Sequence, residues 1–248
     1  GIEALALRLV LAEGADVSID VQYYLIKNDI IGKVFTGALL KAADRGVRVR
    51  VLLDDIFTQG SDDVMLALHS HPNIEIRLFN PFASRNFRPG DLLNYKQLNR
   101  RLHNKSFTVD NQLTIIGGRN IAAEDFGARE DLNFNDLDIV AIGPIVNETS
   151  SMFDDYWNSQ LSVPVNAVAK PRGNNVITLH QFRYHMANTL VNLEETLYSS
   201  ALIKDASKFI DHIGKKFTWA PYQLIYDSPE KALGKTPKTS ITQSISDE

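Results

Sequence analysis

The 248-residue chain has no cysteine. That excludes a disulfide framework and a thiolate metal site, and it leaves the redox compartment open. No uninterrupted apolar run reaches the ~18 residues that a membrane-spanning helix needs. No stretch has the organisation of a signal peptide. Positive charge is not in surplus either, since 26 Lys and Arg face 30 Asp and Glu for a formal net charge of −4. A dedicated nucleic-acid binder is expected to be basic, so no nucleic-acid partner is expected here. The opening Gly1-Ile2-Glu3 lacks an initiator methionine. A preceding segment, with any targeting signal, is expected to have been removed.

What is present is a 44% hydrophobic chain, enough for one or two domains with their own cores. Charge is uneven along it. Between Asn80 and Lys105, Arg85, Arg88, Lys96, Arg100, Arg101 and Lys105 face only Asp91. That basic run leads into the stretch that organises the chemistry, and it suits an anionic substrate. His103 and Lys105 are two residues apart, so on an extended strand they leave one face together, with Phe107 and Val109 following. Asp110-Asn111-Gln112 supplies turn chemistry, Leu113 to Ile116 forms a second apolar strand, and Gly117-Gly118 allows close backbone approach. The expected hairpin carries an imidazole, an ammonium, a Gly-Gly corner and the amide of Asn120. A phosphodiester needs those groups: a nucleophile, a counter-charge and donors for its equatorial oxygens.

Around this hairpin the pattern is that of an α/β fold. Leu5 to Glu13 reads as a helix and Val17 to Tyr23 as a half-buried strand. Helical spacing from Ile31 to Ala42, with Gly46 at the C-cap, leads into an alternating strand from Val47 to Leu53. That strand–helix–strand order predicts a βαβ unit and a mixed, largely parallel sheet flanked by helices on both faces. A short helix from Ser61, a strand from Ile74 to Leu78, a long polar loop to Asn99, a strand from Leu137 to Ile142 and a helix opened by Pro144 follow. Residues 1–160 are expected to form one complete domain and 161–175 a linker. Residues 176–248 are expected to begin an unfinished second domain, with a helix carrying Phe182, Met186, Leu190, Leu193 and Leu197, then a strand from Phe217 to Tyr226.

The spacing H-x-K-x4-D over His103, Lys105 and Asp110, followed by G-G-x-N ending at Asn120, resembles the signature of the phospholipase D superfamily. The lead-in N-R-R-L-H-N-K and the Gly-Gly-Arg-Asn corner are most similar to bacterial cardiolipin synthases. The likeness runs from about Val17 to Asn158 and continues weakly through Trp219-Ala220-Pro221. Gly118 departs from the many members with a serine there, so one hydroxyl near the nucleophile is missing. The resemblance implies that His103 attacks phosphorus and forms a phosphohistidine, while Lys105 and Asn120 stabilise the transition-state oxygens. Gly117, Gly118 and Arg101 are further candidate phosphate contacts. Asp110 defines the motif, with a largely structural role in the family. Asp136 is the candidate that orients the nucleophilic imidazole. No metal and no cofactor are expected.

The superfamily site uses two such motifs, and His69, His71, His180, His185 and His212 have no lysine two residues on. The chain is therefore expected to be about half of a longer protein, its second motif coming from a missing C-terminal half or from a homodimer partner. The implied activity is phosphatidyl transfer on phosphatidylglycerol or phosphatidylethanolamine, at the inner membrane surface of a bacterium. An endonuclease of the same superfamily working as a homodimer, and a non-catalytic lipid-binding fragment, are the alternatives. The acids from Glu124 to Asp138 do not make a calcium loop: starting at Asp131, position six is Asp136 rather than glycine and position twelve is Ile142 rather than glutamate. Tyr23, Tyr24, Phe79 and Phe82 are candidates for core packing or for an acyl-chain groove.

Overall fold

The computed structural model describes residues 1–82, 101–171, 177–194, 217–233 and 240–241, with 200, 202 and 204. The basic run from Arg85 to Arg100, His212 and Leu197 lie outside the described residues. In chain order the elements are α1 (Ile2–Glu13), β1 (Ser18–Tyr23), α2 (Ile30–Asp44), β2 (Arg48–Asp54), α3 (Asp62–His69) and β3 (Ile74–Phe79). Then come β4 (Ser106–Val109), β5 (Leu113–Gly117), β6 (Asp138–Ile142), α4 (Pro144–Trp157), β7 (Ser162–Pro164) and α5 (Leu179–Glu194).

The seven strands form one sheet in the order β6-β5-β4-β1-β2-β3-β7. Helix α2 starts where Asp29 accepts from the Gly32 amide at 2.9 Å. Past its C-terminus Gly46 takes φ 102°, a left-handed turn into β2. The connection makes β1 and β2 parallel, and α3 does the same for β2 and β3. The remaining pairings, β1–β4, β4–β5, β5–β6 and β3–β7, are antiparallel. The sheet is thus mixed but mostly antiparallel, a correction to the largely parallel sheet expected. A three-residue turn can only return a strand antiparallel, and within Asp110-Asn111-Gln112 the first two residues take φ of 52° and 54°.

Helices cover both faces, as the alternation of the strands requires. On one, Ile19, Val21, Val49, Val51 and Ile76 meet α1, α2 and α3. On the other, α4 sets Met152, Phe153, Tyr156 and Trp157 against Leu52 and Phe79. Arg50 crosses this second face, clamping Asp20 at 2.7 Å, reaching Asp154 at 2.8 Å and lying 4.7 Å over the Phe153 ring.

The segment expected as a linker begins with a strand: β7 pairs Ser162 with Phe79 and Val163 with Leu78, closing the sheet at its far edge. Pro164 ends it, where no amide is needed by a neighbour. The helix expected to open a second domain, α5, buries Phe182 and Met186 in the same core as Val49 and Val51. Residues 217–226 form no strand. Their apolar side chains are used differently: Leu224 and Tyr226 pack beside α4, and Trp219 lies against Gly143.

Candidate active site

The parallel strands β1, β2 and β3 end at one edge of the sheet, the edge where α/β folds place their ligands. Tyr24 follows β1, Asp54 ends β2 and Asn80 follows β3. Strand β4 runs the other way, so its lead-in His103-Asn104-Lys105 arrives at this same edge, with Ser106 paired to Gln22. His103 and Lys105 sit just before the strand rather than on it. Gly117, at the end of β5, donates its amide to the Lys105 carbonyl at 3.3 Å.

His103 is exposed, its ring tilted against Tyr24 with centroids 4.9 Å apart. Lys105 is buried, with its Nζ 3.2 Å from His103 Nδ1, 2.8 Å from the His103 carbonyl and 5.6 Å over the Tyr24 ring. Partial burial, then the Lys105 charge, hold the imidazole below the usual histidine range. Burial also lowers Lys105, while Asp136 and Asp125 pull it back toward the charged form. A neutral imidazole beside an ammonium is the resulting pair. An ammonium can only donate, so with Lys105 charged Nδ1 is the acceptor of this contact and the imidazole proton sits on Nε2.

The approach to this pair is anchored by Asp54, which is fully buried. Its carboxylate accepts from the amides of Ile56 and Leu102, both at 2.8 Å, and from Arg101 at 3.3 Å. Burial raises its pKa to about 6, against the opposing pull of Arg101 and the two amides. Arg101 also donates to the Asn80 carbonyl at 3.1 Å and lies 4.4 Å over the Phe82 ring. The side chain expected as a phosphate contact therefore ties together the ends of β2 and β3.

The Gly-Gly corner has a steric cause. A Cβ on Gly117 would stand 2.1 Å from Asp138 Oδ1, and one on Gly118 would stand 2.4 Å from Asp136 Oδ1. Asp136, expected to orient His103, thus lies against Gly118, in the space a serine side chain would need, and reaches Lys105 only through its charge. Asp138 ion-pairs with Arg8 at 3.0 Å and Arg119 at 3.1 Å, and buried Arg8 also donates to Tyr23 Oη at 2.9 Å. Asn120 donates its amide to Asp125 at 3.3 Å, and its carboxamide Oδ1 is buried without a partner among the described residues. Burial raises Asp125 to about 6.

Asp110 belongs to the other end of β4, away from the imidazole. Its carboxylate accepts from the amides of Asp16 at 2.9 Å, Val17 at 2.8 Å and Ser18 at 2.7 Å. Burial works against its charge, yet those three amides hold its pKa below the usual range. The structure therefore gathers His103, Lys105, Gly117, Gly118, Asn120 and Asp136 at one edge and leaves Asp110 outside. It adds Tyr24, which the sequence offered for core packing or an acyl-chain groove, and Asp54 and Asp125, which it marked only as a strand end and a loop acid. Their position after parallel strands was the available signal for the first two.

Among the described residues no set of His, Asp and Glu converges as a metal site, and no helix is long and apolar enough to cross a membrane. The family described as "Cardiolipin synthase, PLD-like domain" matches residues 10–157, from within α1 to the end of α4. The chain belongs to this family. Within the matched span of this PLD-like domain lie all the candidate residues named above. Cardiolipin synthase C of Escherichia coli (strain K12) is 41% identical over 97% of this chain and 50% of that protein. An uncharacterized protein of Helicobacter pylori (strain ATCC 700392 / 26695) is 35% identical over 93% of this chain and 46% of its own length. The PLD-like chain thus spans about half the length of these relatives. Phosphatidylserine synthase of Haemophilus influenzae Rd KW20 shares the fold, with a TM-score of 0.52 and 14% identity over 78% of this chain and 42% of that one.

Proposed function

We propose that this chain is one half of a phosphatidyltransferase of the cardiolipin synthase type, with His103 as the nucleophile toward a phospholipid phosphodiester. The observation that carries the reading is the His103 imidazole, its pKa lowered by partial burial and by the Lys105 charge, 3.2 Å from Lys105 Nζ at the edge where the parallel strands end. The name of the E. coli relative supports the substrate class.

A bound phosphate diester draws the Lys105 ammonium onto its oxygens. That frees Nδ1, and because His103 is exposed, solvent takes the proton from Nε2 as Nδ1 gains one, which leaves the Nε2 lone pair for attack. A P–N bond forms, the P–O bond to the leaving alcohol breaks, and Lys105 with Asn120 offsets charge on the equatorial oxygens. The leaving alkoxide takes a proton from a second histidine, which then deprotonates the acceptor alcohol that cleaves the phosphohistidine. That second motif comes from the remainder of a longer protein. Phosphatidylglycerol or phosphatidylethanolamine is the substrate, met by a peripheral protein at the inner membrane of a bacterium.

The test uses the longer protein containing this chain, with phosphatidylglycerol vesicles and labelled donor. His103→Ala should abolish both turnover and acid-labile phosphoenzyme, and Lys105→Met should cost about 10²–10³ in rate, as loss of one transition-state donor does. A His103→Ala protein that melts normally and still turns over donor would show that this histidine is not the nucleophile. The chain alone should be nearly inactive. Turnover rising with the square of its concentration would mean that a second copy completes the site.

A further inference from the structure

One void in the described structure lies away from the imidazole. It is a cavity of about 420 Å³ beneath α2, α3 and α5, of a size that small-molecule sites have. Its floor is the apolar face of the parallel strands, with Val49, Val51, Leu53, Ile74 and Ile76. Its walls include Leu39, Val64, Leu68 and Phe182. Met65 and Met186 complete them, two of the three methionines in the sequence, and methionine adapts to irregular apolar occupants. Close-packed cores do not keep voids of this size, and an apolar wall gives ordered water too few partners. An extended apolar ligand suits it better.

The polar residues of the lining identify the other end of that ligand. Asn28, His185 and Asn188 are exposed and so stand at the mouth. Lys27 and Lys33 also line the cavity, and the described lining holds no carboxylate. Lys27 pairs with Glu124 outside the cavity, whereas Lys33 has no ion-pair partner among the described residues. The mouth is also tied to the catalytic edge: Ile26 bridges Ile121, and the Lys27 amide donates to the Ile121 carbonyl at 2.9 Å, one residue past Asn120.

We propose that this cavity binds one acyl chain of an anionic phospholipid, with the headgroup phosphate held at the mouth by Lys33. The choice of phospholipid rests on the lipid reading given above, but binding here does not involve His103. A lipid held in this way would sit with its headgroup beside the loop that carries Asn120.

The probe is monooleoyl phosphatidylglycerol below its micellar concentration, titrated calorimetrically into the full chain. Saturable one-to-one binding is expected, unchanged in His103→Ala, so that a failure of the nucleophile assignment leaves this result intact. Lys33→Glu, a partly exposed change that leaves the core alone, should weaken binding about tenfold or more. Met186→Trp should fill the cavity and abolish it. Because that variant could fold poorly, the same lipid with a diazirine at the chain end supplies a second measurement on the unaltered protein. Crosslinks should fall on the peptides around Met65 and Met186. The proposal is overturned by absent binding, by equal affinity for glycerophosphoglycerol lacking a chain, by indifference to Lys33→Glu, or by crosslinks confined to other peptides.

Discussion

Removing the carboxylate of Asp110 should lower stability without touching the chemistry at His103. Three amides converge on it, from Asp16, Val17 and Ser18. A net hydrogen bond to a charged group is worth ~1.5–3 kcal/mol when shielded and far less when water can replace it. Asp16 and Val17 are exposed and only the Ser18 bond is partly buried, so the set is worth about 2–3 kcal/mol. In a chain of this size that lowers the melting temperature by roughly 4–12 °C. Asp110 also has φ 52°, so Asp110→Ala adds a left-handed penalty of ~1–2 kcal/mol that Asp110→Gly avoids. Asp110→Asn keeps an acceptor oxygen and tolerates the backbone, and should cost about 1 kcal/mol. The expected order of melting temperatures is wild type, Asn, Gly, Ala. Because the folded pKa is depressed, the contribution is complete above the unfolded value of ~3.9 and is lost as pH falls through the folded one. The gap between wild type and Asp110→Asn should therefore close below about pH 4. Melting by circular dichroism across pH tests both points. If Asp110→Ala is as stable as Asp110→Gly, or if Asp110→Asn melts like wild type, the turn-anchoring account is wrong.

Gly118→Ser should force the Asp136 carboxylate away, since its Cβ would stand 2.4 Å from Oδ1; Asp136→Ala should relieve that clash, and a double-mutant cycle by urea melts should give a coupling of ~1 kcal/mol or more. Additive effects would show that the two positions do not share that space. Asp54 and Asp125, both raised to about 6, bind protons more tightly folded than unfolded, so each contributes stability that is complete below ~pH 4 and lost as pH rises through 6. Asp125→Asn should therefore gain on wild type in urea stability between pH 4.5 and 7.5, and a difference that stays flat over that range would refute the assignment.

Much of this molecule could be read along the chain because the signals concerned are local. The Gly46 cap, the Asp110-Asn111 turn and the alternation of β1, β2 and β3 each depend on neighbours a few residues away. The spacing of His103, Lys105, the Gly-Gly pair and Asn120 likewise marked the edge of the sheet where these residues gather. Pairing is not local. Alternation in Phe217 to Tyr226 resembles a strand, but a strand needs a partner edge, and these side chains pack beside α4 instead. Strand direction beyond the βαβ unit, and the joining of Leu161–Pro164 to β3, were settled by the same long-range contacts. So were the partners of the candidate residues. Asp110 meets amides more than ninety positions earlier, and Arg101 turns to Asp54 rather than outward. Asp136 lies on Gly118 because the lead-in to β6 crosses the end of β5. The residue types that could do the chemistry were written in the order of the chain. Which of them face one another was decided by the tertiary packing of the sheet, since the free energy of each contact exists only once distant segments have been brought together.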